Sequence, residues 1–394
     1  MGVSPGETEK RLKEPSPIPR GGKRTMKFRC NGADLSEGLK RVSGALPARA
    51  VKPVLDGVLV EAGGSAVRLT CTDERMTIVT SVRAEVEEDG CGVAPGRIFG
   101  EVVRGLTGAD VAVSMNERFA FTLKGSGSRT NLSGQDADLF PALPEVAAER
   151  VIRMPRGMLK RMIERTAFCV ASEDVREVLT GALLAFRNGT ATMVGLDGFR
   201  MAVCEARTSD VVEDCRVVIP WKALSDIGKM VADDPEAFVA LSIGGGKLRA
   251  DVDGTSVYAT LISGEYVDWK GILPKNAATR LTVAVRPLRD AVERAALIAR
   301  QGNNNLLVLK VAGGEMAVEA HSQVGDSFEK LEVVQEGADL NIAFNVKYVS
   351  EALRNVDGDE ISMHMNGPIA PCLIRVAGGD TTYLVLPVRT GATK

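Results

Sequence analysis

The 394-residue chain has few aromatics, almost no histidine and no long apolar run. Phe, Tyr and Trp make up 4% of it. A protein that grips single-stranded nucleic acid needs ring platforms on which bases stack, and such a composition fits that poorly. The two histidines, His321 and His364, fall in strand-like segments, and no C-x-x-C pair is present. No metal cluster or histidine-based triad can be assembled from them, so neither a metal site nor a catalytic residue is expected. No stretch approaches the roughly eighteen apolar residues that mark a membrane span. Charge of one sign is also missing: the net charge is −2. Any basic surface must be local, with acidic surface elsewhere. The seven cysteines (Cys30, Cys71, Cys91, Cys169, Cys204, Cys215 and Cys372) are odd in number and mostly lie in apolar runs. They read as buried free thiols of a cytoplasmic protein.

What is present is a soluble globular composition, 45% hydrophobic and 25% charged, in a chain long enough for two or three domains. Residues 1–25 are rich in Pro, Gly and charge and lack the apolar middle of a signal peptide. They read as a disordered extension, with folding beginning at Met26.

From there the sequence repeats with a period near 125 residues. Each repeat opens with a strand and a helix, the helices covering 34–43, 155–168 and 287–298. Pro155 and Pro287 suit a first helical position, where a missing N–H costs nothing. A strand pair follows, its first strand at 55–61, 179–186 and 306–311. A second helix follows Pro95, Pro220 or Asn345, each 125 residues from the last, with Arg97, Lys222 and Lys347 in equivalent places. Alternating strands close each repeat. The expected pattern is β-α-β-β-β-α-β-β-β, an α+β fold with two helices packed on antiparallel sheet in each of three domains: 26–148, 149–276 and 277–394.

One turn stands out. Asp197-Gly198 sits between two apolar runs, a strong hairpin signal because Gly tolerates positive φ and Asp bonds its own turn. A relative lies 124 residues earlier at Asp73-Glu74, without the Gly or the following aromatic Phe199. The six helical segments hold sixteen Lys or Arg against eight Asp or Glu, within a chain of net −2. Charged residues commonly just occupy solvated helix faces. The same bias at equivalent places in three repeats favours one shared basic surface able to track a duplex without reading its sequence.

Other motifs carry less. Ile243-Gly-Gly-Gly-Lys247 lacks phosphate-loop spacing and sits where a hairpin turn is expected. Lys124-Gly-Ser-Gly-Ser-Arg129 reads as another hairpin. Asp73-Glu74 and Glu87-Glu88-Asp89 lack the third group that metal or acid–base work needs. An enzyme of nucleic-acid metabolism built on repeats would require such convergent groups, and it stands as the alternative to a binding and scaffolding protein.

Several short motifs, in order and in the proper repeats, resemble the bacterial DNA polymerase III beta subunit, the sliding clamp. They are Met26-Lys27-Phe28, Asp174-Val175-Arg176, Asp197-Gly198-Phe199-Arg200, Leu273-Pro274-Lys275-Asn276, Phe344-Asn345-Val346 and Tyr383-Leu384-Val385-Leu386-Pro387-Val388-Arg389. The resemblance spans residues 26–390. It implies a head-to-tail homodimer whose six domains form a ring around duplex DNA, with twelve helices lining the channel. It implies a non-catalytic processivity factor without cofactor, whose partners are double-stranded DNA, the polymerase III alpha subunit, the clamp loader, other polymerases and repair proteins. The partner-peptide groove carries over to Leu179, Leu196, Gly198, Phe199, Arg200, Met201, Val267, Ile272, Leu384, Leu386, Pro387, Val388 and Arg389. The chain departs from the family at Leu196, Phe199, Val267 and Gly271, which make the groove more apolar and its rim less charged. DNA contact carries over to Arg49 in one loop and, in the loop 173–178, to Arg176. On the helices, Lys40, Arg41, Arg97, Arg104, Arg156, Lys160, Lys222, Lys229 and Lys347 are the candidates chosen from the charge bias.

Overall fold

A computed structural model describes residues 24–108, 110–172, 176–208, 213–231, 237–302, 304–376 and 378–389. The expected extension lies outside the described residues except for Arg24 and Thr25. Both have partners: Arg24 lies 3.7 Å from Asp136 and Thr25 donates its hydroxyl to Glu88. These two residues ahead of Met26 are therefore held by the folded first repeat.

The first repeat contains β1 (Met26–Asn31), α1 (Gly32–Ser43), β2 (Gly57–Gly63), β3 (Ala66–Thr72), β4 (Met76–Arg83), β5 (Glu85–Glu88), β6 (Gly90–Pro95), α2 (Gly96–Arg104), β7 (Asp110–Met115), β8 (Ala120–Gly125) and β9 (Ser128–Ser133). The second contains β10 (Arg150–Pro155), α3 (Arg156–Thr166), β11 (Gly181–Arg187), β12 (Thr190–Leu196), β13 (Arg200–Arg207), β14 (Cys215–Pro220), α4 (Trp221–Met230), β15 (Phe238–Gly244), β16 (Lys247–Val252), β17 (Thr255–Thr260) and the single turn α5 (Trp269–Ile272). The third contains β18 (Thr279–Ala284), α6 (Val285–Ala299), β19 (Leu306–Ala312), β20 (Glu315–Ser322), β21 (Gly325–Glu332), β22 (Val334–Gly337), β23 (Leu340–Asn345), α7 (Val346–Arg354), β24 (Glu360–Met365), β25 (Cys372–Val376) and β26 (Thr381–Val385).

The repeat order is as expected, with extra strands between the two helices of each repeat. Leu55 and Leu179, expected to open strands, lie in 3-10 turns, Pro53–Asp56 and Glu177–Thr180. Pro155 is the N-cap of α3, and Pro287 is the third residue of α6. Both positions precede the first required backbone donor, so neither breaks its helix. Pro95, Pro220 and Asn345 cap the second helices; the Asn345 side chain accepts the Lys347 N–H at 3.0 Å. On α1 the buried Leu35, Leu39 and Val42 recur at helical spacing and turn one face to the sheet.

The chain divides into two compact units, and the second repeat is shared between them. In one unit, β17 pairs antiparallel with β4, continuing β15-β16-β17 into β4-β3-β2-β6; a second sheet runs β5-β1-β7-β8-β9. In the other, β13 pairs with β26, so β14-β11-β12-β13 continues into β26-β25-β24-β18-β22; a four-stranded sheet runs β21-β20-β19-β23. One rule covers both joints: the last strand of a repeat hydrogen-bonds to the strand that leaves the Asp turn of the preceding repeat.

Candidate partner groove and nucleic-acid face

The Asp197 turn is built by its own side chain. Asp197 Oδ1 accepts the backbone N–H groups of Phe199 and Arg200, each at 2.9 Å, and the Asp197 N–H reaches the Arg200 carbonyl at 3.2 Å. Gly198 sits at φ +88°, a region unfavourable for any residue with a Cβ. The turn at Asp73 repeats this atom for atom. Asp73 Oδ1 accepts from Arg75 at 3.0 Å and Met76 at 2.7 Å, and Glu74 takes the glycine's place at φ +69°.

Beyond the Asp197 turn, β13 runs beside β26 with Met201 opposite Leu384. Leu179, Leu196, Met201 and Leu384 are buried in one apolar cluster with Leu183, Val194, Val203, Tyr266 and Leu373. Val267, Trp269, Leu273 and Leu386 lie half-buried over it. The Tyr266 hydroxyl donates to the Val194 carbonyl at 3.1 Å, which removes the cost of burying it there. The tail after β26 is pinned at two points: Leu386 N–H to Phe199 O at 2.9 Å, and Val388 N–H to Ala343 O at 2.7 Å. Pro387 and Val388 are half-buried and Arg389 is exposed. At the rim Phe199 is 59% exposed and stacks on Tyr348, with centroids 6.1 Å apart, and Ile272 is exposed. Tyr348, Trp269, Tyr266 and Leu373 escape a reading along the chain. Nothing local marks them, and α7, α5 and β25 reach this place only through the fold.

Arg200 is a correction. It is 6% exposed, and each of its three guanidinium nitrogens donates a hydrogen bond. Its guanidinium bonds Asp197 at 2.9 Å, the Phe168 carbonyl at 2.7 Å and Glu351, and lies over the Tyr348 ring at 4.7 Å. It braces the turn against α7, with its guanidinium turned to these protein partners.

Of the basic candidates, Lys40, Arg49, Arg97, Arg104, Arg176, Lys222, Lys229 and Lys347 are exposed, and Arg41 and Lys160 are half-buried. Lys40 and Arg41 share Glu37, at 3.5 and 3.3 Å; Lys160 lies 3.8 Å from Glu164 and Lys229 2.9 Å from Asp226. The pairs on Glu37 and Glu164, whose carboxylates are exposed, are weak and exchange readily with another anion, whereas Asp226 is buried. Arg97 donates to the carbonyls of Pro47 and Ala48 at 2.8 and 3.5 Å. Arg156 is the second correction: it is 6% exposed at the start of α3 and cannot present its charge to a phosphate. Residues 173–175 of the second DNA loop lie outside the described residues. The helical charge excess is also partly consumed within the fold, because Arg165 pairs with Asp357 and Asp380 and Arg294 with Glu329. The glycine stretch at Gly244–Lys247 and the one at Gly125–Ser128 close hairpins, as expected. Glu87 pairs with Lys27 at 2.6 Å and Glu74 with Lys52 at 2.6 Å. No described helix is long and apolar enough to cross a membrane.

Sequence models of the DNA polymerase III beta subunit match along the chain: the N-terminal domain over residues 26–144, the central domain over 153–268 and the C-terminal domain over 270–389. The beta sliding clamp of Staphylococcus aureus (strain Mu50) is 32% identical over 359 residues, 88% of this chain and 94% of that protein. The crystal structure of the DNA polymerase sliding clamp from Bacillus subtilis matches with a TM-score of 0.87 at 28% identity, over 93% of this chain and 100% of that one. The sliding clamp of Pseudomonas aeruginosa, solved bound to griselimycin, matches with a TM-score of 0.85 at 25% identity, over 93% and 100%.

Proposed function

Because the chain belongs to the family of DNA polymerase III beta subunits, the beta sliding clamps, we propose that it works as a head-to-tail homodimer assembled through β9 and β21. Its function is that of the family: a non-catalytic processivity factor of DNA replication, a ring that encircles duplex DNA and tethers polymerase through a peptide-binding groove. The division into clamp domains 26–148, 149–276 and 277–394 is part of this reading, as is a cytoplasmic location.

The observation that carries the dimer is the joint between repeats. β4 is paired by β17 and β13 by β26, whereas the strands in the equivalent places, β21 in the third repeat and β9 in the first, are sheet edges among the described residues. An unpaired edge is a template for another strand. The register follows from the internal copies. Thr80 lies opposite Thr255 and Cys204 opposite Thr381. Ser322 takes the turn position of Asp197, accepting the Val324 N–H at 3.3 Å. Glu329 then takes the place of Cys204 and faces Ser128 of a second copy, with Phe328 beside Arg129. The exposed Phe328 gains cover, and the acidic β21 meets Arg129.

We assign the groove to partner segments with apolar anchors, held by Leu179, Leu196, Met201, Leu384 and Leu386, with Gly198, Phe199, Val267, Ile272, Pro387, Val388 and Arg389 at its margin. The polymerase III alpha subunit, clamp loader, other polymerases and repair proteins are the partners expected there. A few buried anchors carry most of such an interaction. The exposed basic residues Arg49, Lys40, Arg104, Arg176, Lys222, Lys229 and Lys347, with the half-buried Arg41 and Lys160, are assigned to weak phosphate contact. Deleting residues 386–389 tests the groove. Polymerase stimulation should be lost while size in solution stays near twice 41.9 kDa; loss of the dimer would mean the groove is misplaced.

A further inference from the structure

We infer that Glu74 and Arg97 are positioning residues that hold the Arg49 loop in place, and that neither contacts DNA itself. The inference rests on the reading of Arg49 as a phosphate contact. Among the described residues, 47–51 make no backbone–backbone hydrogen bond, so the loop depends on side chains for its shape. Ala50 packs on the apolar cluster around Leu55 and Phe140, and two polar side chains supply the rest. Arg97, in the first turn of α2, donates to the carbonyls of Pro47 and Ala48 on one side of Arg49. Glu74 holds Lys52 at 2.6 Å on the other.

Glu74 is the informative member. It occupies the left-handed position that its copy fills with Gly198. A non-glycine residue there costs about 1–2 kcal/mol. The Lys52 pair is about half exposed on both partners, and exposed pairs return about 0–1 kcal/mol. The glutamate is therefore not retained for stability. Such strain points to a role beyond stability, and among the described residues the partner this carboxylate holds is Lys52, which ends the Arg49 loop. Arg97 fits the same logic: its guanidinium is aimed at two carbonyls of the loop.

The test is binding of the full-length protein to a short linear duplex, read by fluorescence anisotropy over a salt series. Arg49→Ala should reduce the slope of log affinity against log salt by about 0.9, one phosphate. Glu74→Gly should raise the thermal midpoint by about 2–4 °C and yet reproduce the Arg49→Ala slope. Arg97→Lys should reproduce it too, because the lysine ammonium ends one bond short of the Nη2 position from which both carbonyls are reached. In the Arg49→Ala background neither change should weaken binding further. Additive losses would mean that Glu74 or Arg97 acts independently of Arg49, and wild-type slopes for the single variants would mean that the loop needs neither; each result overturns the inference. An unchanged slope for Arg49→Ala itself overturns it together with the reading of Arg49, since there is then no contact to position. The midpoint rise separates all of these from misfolding.

Discussion

Gly198 and Glu74 occupy one conformation in two copies of a turn, and the difference between them is testable at the level of a single Cβ. Nothing lies within 4 Å of the Cβ position on Gly198, so Gly198→Ala meets no clash and its cost is backbone strain alone. That cost is about 1–2 kcal/mol, measured by chemical denaturation. Arg200 shows how burial reverses a role: a residue that looks like a rim cation is walled in by Asp197, Glu351 and two aromatic rings. The thiols follow the same logic. Burial pushes Cys30 from 9.0 up to about 12, with Asp34 and Asp110 adding to it, and burial alone pushes Cys372 to about 12. Both are protonated in the fold but would ionise in the unfolded chain. Their contribution to stability is whole below pH 9.0 and is lost as pH rises towards about 12. Denaturation midpoints should fall across that window. At neutral pH Cys215, the one half-exposed thiol, should react fastest with a disulfide reagent, and the six buried ones should wait for unfolding.

Among the elements, two edge strands and one tail matter most. β9 and β21 are ordinary strands within their sheets, and their significance appears only by comparison with the joints β17–β4 and β13–β26. If they join two copies, Phe328→Asp should shift the protein towards monomer in sedimentation, with Asp placed beside Asp326 and Glu329 on a strand already acidic. Arg129→Glu should do the same, and an unaltered dimer in both would exclude this pairing. The helices were legible from the chain because apolar spacing and the N-caps at Pro95, Pro220 and Asn345 are local signals. The short β5 and β22 were not. They are edge strands of four residues each, and what makes them strands is the neighbour that pairs with them.

For the whole molecule, the family's topological grip predicts a behaviour that no pairwise contact would produce. A ring loaded on nicked circular DNA should stay bound and should run off once the circle is cut. Retention after linearisation, read by gel filtration, would mean that contacts and not enclosure hold the protein. The same grip should make affinity for linear duplex weak and strongly salt-dependent, because the contacts are phosphate contacts.

Period, helix placement and the Asp turns are properties of residues near one another in sequence, and the chain alone determined them. So did the apolar character of the groove, since Leu179, Leu196, Met201 and Leu384 are apolar wherever they lie. The tertiary structure decided which of these meet. Arg156 and Arg200 are charged in the sequence and buried in the fold; Tyr348 and Trp269 reach the groove from α7 and α5. Sequence specifies a side chain's chemistry and its phase on a helix or strand. Whether a charge faces water or a carboxylate depends on segments far away along the chain, and only packing brings those together.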